Sequence, residues 1–154
     1  MNEMETIINN LKKTFEGRAW HGPSLLETLD SLDAGEARCR PIGGRHTILE
    51  IVNHCAYWMD AVVDSLKGKE MPKIEHGSVL DWPRMKEKDE EWIDAQENIN
   101  ESYKELLKAI IKSDVTLLDD IVPGRKYAYR EVLQGISDHN IYHAGQIAVF
   151  KMNK

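Results

Sequence analysis

Two histidines, His139 and His143, stand four residues apart in the stretch from Ile136 to Ile147. On a helix, positions i and i+4 share a face. Val132, Leu133, Ile136, Ile147 and Phe150 mark an apolar stripe there, and both histidines fall on it beside Ile136. A helix that turns two imidazoles into its own buried face must supply partners for their ring nitrogens, because unpaired buried polar groups cost stability. A metal ion is one such partner, and His is the commonest metal ligand. Hydrogen bonding to other core side chains is the alternative.

A third histidine, His54, lies about 60° around a helix from Ile51, on the flank of another apolar stripe. Three imidazoles plus one solvent molecule make a tetrahedral site with an open position, the pattern of catalytic zinc; structural sites use four protein ligands. No fourth protein ligand is evident. Cys55 adjoins His54, but neighbouring helical residues diverge by about 100°. It sits at the centre of the stripe and reads as a small buried hydrophobe. Cys39 falls in a connection and carries no expected role. His21 reads as a loop histidine, with a base or substrate-contact role as the alternative. Asp138 and Gln146 are possible partners for the far ring nitrogens, or ordinary helix surface. Trp20, Trp58, Trp82 and Trp92 read as core or loop anchors.

The elements that would carry these residues are helical. Ile7, Ile8, Leu11 and Phe15 pattern a helix over Glu3 to Glu16, ended by Gly17. Ser24-x-x-Glu27 is a capping box opening a shorter helix through Leu32, expected to continue the first as one arm broken at Gly22-Pro23. Ala34 to Arg45 reads as a connection. Thr47-x-x-Glu50 opens a helix reaching Gly68, a good residue to follow a helix end. Its stripe is Ile48, Ile51, Cys55, Trp58, Met59, Val62 and Leu66. A loop to Pro83 follows, with Asp81-Trp82-Pro83 as the expected entrance to a helix over Arg84 to Lys112. Trp92, Ile99, Tyr103, Leu106 and Ile110 form its bundle-facing stripe. Ser113 to Ala128 is loop, and the last helix starts near Tyr129. Strand signals are sparse. Four long helical arms predict a single all-α domain over residues 1–154, a four-helix bundle, and metal sites in bundles are built from facing helices.

Bulk properties narrow the function. The chain has 154 residues and a formal net charge of −6. It carries no basic block to grip a phosphate backbone, so no nucleic-acid partner is expected. No apolar run approaches the roughly 20 residues of a membrane span, and the first residues lack the basic and apolar regions of a signal peptide. A cytoplasmic protein without a membrane partner is expected. The two cysteines form no Cys-x-x-Cys pair. A Gly-x-Ser-x-Gly elbow, a phosphate loop and a His-Glu-x-x-His signature are all missing.

The chain resembles the DinB/YfiT-like superfamily of small bundle metalloproteins. The resemblance rests on Gly22-Pro23-Ser24-Leu25-Leu26, Pro41-Ile42 before His46-Thr47-Ile48, Leu49 to His54, and Asp138 to Ile147, in that order and spacing. It covers nearly the whole chain. It implies a four-helix bundle with a long crossover connection. It also implies one divalent metal ion per chain, held by His54, His139 and His143, with zinc or nickel suited to all-imidazole ligation. Members include S-transferases and isomerases that use low-molecular-weight thiols such as bacillithiol, alongside metal-dependent hydrolases. The resemblance thus implies a small-molecule substrate and a metal-dependent enzyme, a thiol S-transferase first. A hydrolase or a non-catalytic metal-binding, stress-response protein is the alternative. It further implies a homodimer.

Overall fold

The computed structural model describes residues 2–40, 44–74, 77–83 and 88–152. Among the described residues there are six α-helices: α1 Glu3–Glu16, α2 Leu25–Leu29, α3 Ala34–Arg38, α4 Ile48–Leu66, α5 Glu90–Ile111 and α6 Tyr129–Met152. A short 3-10 turn, Val115–Asp119, lies between α5 and α6. Two isolated bridges, Ala19 to Gly22 and Ile121 to Ala128, are the only β-type pairings among the described residues.

The four long helices close a ring in which α1 packs on α6, α6 on α4, α4 on α5, and α5 on α1. This is the expected four-helix bundle. Consecutive long helices α1 and α4 are diagonal in that ring, so the chain crosses the bundle between them. The crossing segment carries α2 and α3. Local chemistry explains the helix starts. Asn2, Ser24, Asp33 and Thr47 each accept from the backbone amide three residues on, and Glu5, Glu27, Glu36 and Glu50 reach back to complete the capping boxes. Each box satisfies donors that the first turn would leave orphaned.

The predicted stripes become the core. Ile7, Leu11 and Phe15 of α1, Ile51, Cys55, Met59 and Val62 of α4, and Ile99, Leu106 and Ile110 of α5 are all buried. Phe15 stacks on Tyr103, whose hydroxyl donates to Glu16 at 2.6 Å and ties α5 to α1.

Several details depart from the sequence reading. The piece opened by Ser24 does not prolong α1; left-handed Arg18 (φ 64°) helps turn the chain between them, and α2 packs on both α1 and α6. The connection after it contains helix α3, nucleated by the Asp33 box. Helix α5 begins at Glu90, and the expected start at Arg84 falls outside the described residues. Asp81 and Trp82 lie in a loop held against α4, and the helix start expected after Pro83 lies outside the described residues. Trp20 anchors nothing and is fully exposed. No helix among the described residues is long and apolar enough to cross a membrane.

Candidate metal centre

His54 projects from α4, and His139 and His143 from α6, the helix beside it in the ring. One ligand atom from each lies within 4.8 Å of the others. His139 Nε2 is 3.0 Å from His54 Nε2 and 3.1 Å from His143 Nε2. His54 and His143 are buried, and His139 is largely so.

The far side of two rings decides what the near side offers. His54 Nδ1 lies 2.8 Å from the backbone oxygen of Asp81 and 3.1 Å from its Oδ1. Both are acceptors, so Nδ1 carries the proton and Nε2 presents a bare lone pair. His143 Nδ1 lies 2.7 Å from Gln146 Oε1, which assigns the same tautomer. His139 Nε2 faces both of these lone pairs and can donate a proton to only one of them. Its Nδ1 is buried without a hydrogen-bond partner among the described residues. Burial, helped by the neighbouring imidazoles, pulls His139 down to about 3. Burial likewise pulls His143 down to about 4, against the raising effect of its Gln146 bond. Both rings are therefore neutral at neutral pH and bind protons poorly where their nitrogens converge.

Such a cluster fits a cation. Zinc–imidazole bonds of ~2.0–2.1 Å at tetrahedral angles place nitrogens ~3.3 Å apart, within a few tenths of an ångström of the measured pairs. The His54–His139–His143 cluster could hold a metal ion, as the sequence suggested. The donor set is three neutral nitrogens, suited to zinc-like divalent ions.

The loop after α4 supplies the supports. Asp81 is buried at 2% exposure, and its Oδ1 also accepts from Trp58 Nε1 at 3.0 Å. Trp82 stacks on His54 with centroids 3.9 Å apart and on His46 at 3.5 Å, both nearly parallel. Those spacings leave room only for opposite indole faces, so Trp82 is clamped between the two imidazoles. Sequence reasoning missed Asp81 in this role and read Trp82 only as an anchor. Nothing in a loop's residue pattern says which helix it will lie against. Gln146 takes the supporting role considered for it, whereas Asp138 is exposed. Cys55 is fully buried, and burial pushes its thiol far up. His21 is exposed and lies away from the cluster's cleft.

The cluster opens to a cleft of about 1100 Å³, walled by Arg45, His46, Trp82, Tyr142, Gln146 and Phe150 among others. Among the described residues its lining has one carboxylate, that of Asp81, already engaged by His54 and Trp58.

A family model described as the DinB superfamily matches residues 19–147. No curated protein and no solved structure matches the chain.

Proposed function

The chain belongs to the DinB superfamily, and from that premise we propose that it is a divalent-metal enzyme transferring a small-molecule thiol to an electrophile. The observation that carries the reading is the convergence of three imidazole Nε2 atoms at the floor of an open cleft. A bound divalent ion supplies the positive charge that keeps a coordinated thiol deprotonated at neutral pH. Zinc or nickel suits the ligand set.

The chain's own residues divide the remaining work. His54 is held by Asp81 and Trp82, and His143 by Gln146, so two ligand rings are oriented before any ligand arrives. Among the described residues the cleft provides no cysteine. Cys55 is buried in the apolar core, and Cys39 is exposed elsewhere. The sulfur that attacks must therefore come from the small molecule. A carbon–sulfur bond forms, the leaving group departs with its bonding pair, and the thiol proton passes to solvent. Arg45, Tyr142 and Gln146 line the space where substrates would be oriented.

Metal-dependent hydrolysis is the second reading, and one observation favours it. His46 lines the cleft, and burial lowers its pKa, so a neutral imidazole stands where a general base for water would be useful.

Cobalt substitution separates these readings. Added 2-mercaptoethanol should produce a sulfur-to-metal charge-transfer band in the cobalt protein. A Cys39→Ser/Cys55→Ser double variant should keep the band and His54→Ala should lose it. Conjugation of bacillithiol to a panel of electrophiles should need the metal. An unchanged cobalt spectrum with no metal-dependent conjugation would remove the transferase reading in favour of hydrolysis.

The chain is further proposed to pair as a homodimer. Large apolar side chains left exposed on its long helices, including Ile93 and Ile111 of α5, support association.

A further inference from the structure

Helix α6 contains two glycines, Gly135 and Gly145, ten residues apart. Glycine inside a helix costs roughly 0.5–1 kcal/mol relative to alanine. Backbone geometry does not call for either one, since neither has positive φ. Close packing does not call for them either, since a Cβ at each would meet nothing within 4 Å. What the two share is a cavity. Gly145 lines the large cleft over the histidines. Gly135 lines a second pocket of about 320 Å³ between α4 and α6, beside the loop after α4.

The walls of that second pocket are apolar and aromatic: Trp58 and Val62 from α4, Met71 and Tyr127 from loops, Val132 and Ile136 from α6. The Tyr127 hydroxyl lies 3.8 Å from Met71 Sδ, joining the two loop residues at one wall. Among the described residues lining it, the one charged group is the carboxylate of Glu131, which would repel an anion. His139 lines both pockets. Trp58 lines the second pocket with its rings and gives its N–H to Asp81, the residue behind His54.

We propose that the Gly135 pocket is a second ligand site that takes a compact, uncharged, apolar molecule about the size of a substituted benzene. Pockets near this volume with mostly apolar walls are the usual seat of small ligands. Among the described residues the walls offer no cation to hold an anionic group, and Glu131 opposes one. A ligand seated there touches His139 and Trp58, so it contacts both helices that carry the histidine cluster. The site is independent of the thiol reading, since it requires neither a metal nor a sulfur ligand.

The test uses the full chain, uniformly labelled with nitrogen-15, in its zinc-loaded and metal-free forms. The Trp58 indole N–H signal, identified by its loss in Trp58→Phe, is followed while benzyl alcohol or benzoate is added. Benzyl alcohol should shift that signal saturably in both forms, and benzoate should bind at least tenfold more weakly. Gly135→Leu places a good helix former where space is open, so it should retain helical circular dichroism and abolish the shift. Val132→Phe fills the same pocket from an adjacent position and should do likewise. No saturable shift in the natural chain, equal binding of benzoate, or undiminished binding in both filled variants would overturn the proposal. Because the signal is read without metal as well, a failed thiol assay leaves this result intact.

Discussion

At the scale of single residues, the cluster is defined by which nitrogen of each ring is spoken for. Asp81 accepts from His54 Nδ1 through both its carbonyl and its carboxylate. Removing such a support typically weakens metal binding 10–100-fold. The backbone carbonyl persists in Asp81→Ala, so that variant should bind zinc about tenfold more weakly. Equilibrium competition against a chromophoric chelator measures this, and an unchanged affinity would show that Asp81 is only a loop staple. The buried imidazoles also make stability depend on pH. His139 and His143 are lowered to about 3 and about 4 in the fold, whereas unfolded histidine titrates near ~6.5. Between those values the unfolded chain binds more protons than the native one, so stability rises with pH. The metal-free protein should be most stable above about pH 6.5 and lose stability progressively as the pH falls toward 4. Urea midpoints at pH 7 and pH 5 report it, and equal midpoints would mean that these rings are not buried neutral in solution.

At the scale of elements, α4 carries more than its share of the architecture. It contacts α3, α5 and α6 and presents His54 two turns from its start. That start depends on Thr47, whose hydroxyl accepts from Glu50 N at 3.1 Å while Glu50 Oε2 accepts from Thr47 N at 2.9 Å. Glu50 is held in turn by Arg40. Thr47→Ala removes the buried cap and should cost about 1 kcal/mol. A lower urea midpoint with unchanged zinc stoichiometry is the expected outcome. Lost zinc at unchanged stability would mean that the cap positions the site instead of the helix. Helix α6 has the opposite character. Its inward face mixes Leu133, Ile136 and Ile147 with Ser137, His143 and Asn140. Both polar side-chain atoms of Asn140 and the Ser137 hydroxyl are buried without a hydrogen-bond partner among the described residues. A helix core would ordinarily avoid such groups; the structure offers no account of these two beyond their nearness in sequence to the histidines.

At the scale of the whole molecule, the bundle rests on an extended apolar core. The apolar core runs through all four long helices, with Leu11, Phe15, Ile99, Leu106 and Leu133 fully buried away from the histidine cluster. Chelation should therefore leave helical circular dichroism nearly unchanged, unlike a zinc finger. Loss of the helical signal on chelation would make the ion structural. Association is a separate matter. Sedimentation equilibrium at micromolar concentration should give twice the 17.7 kDa chain mass, and a mass equal to one chain would exclude the proposed homodimer.

The sequence by itself determined what depends on neighbours along the chain. Capping boxes span four residues, and helical stripes repeat every three or four residues. The four long helices and the placing of His139 and His143 on one face were therefore legible. So was the buried character of Cys55. The His54 assignment needed the assumption that helix flanks face one another, which the ring of α4 and α6 satisfies. Tertiary structure alone decided the contacts between segments with no shared period. Asp81 stands 27 residues beyond His54, in a loop whose course is set by packing and not by its own pattern. Trp82 finds its place between His46 and His54 for the same reason. The two cavities of α6 arise from the space between helices, and only packed helices reveal that Gly135 and Gly145 border open space.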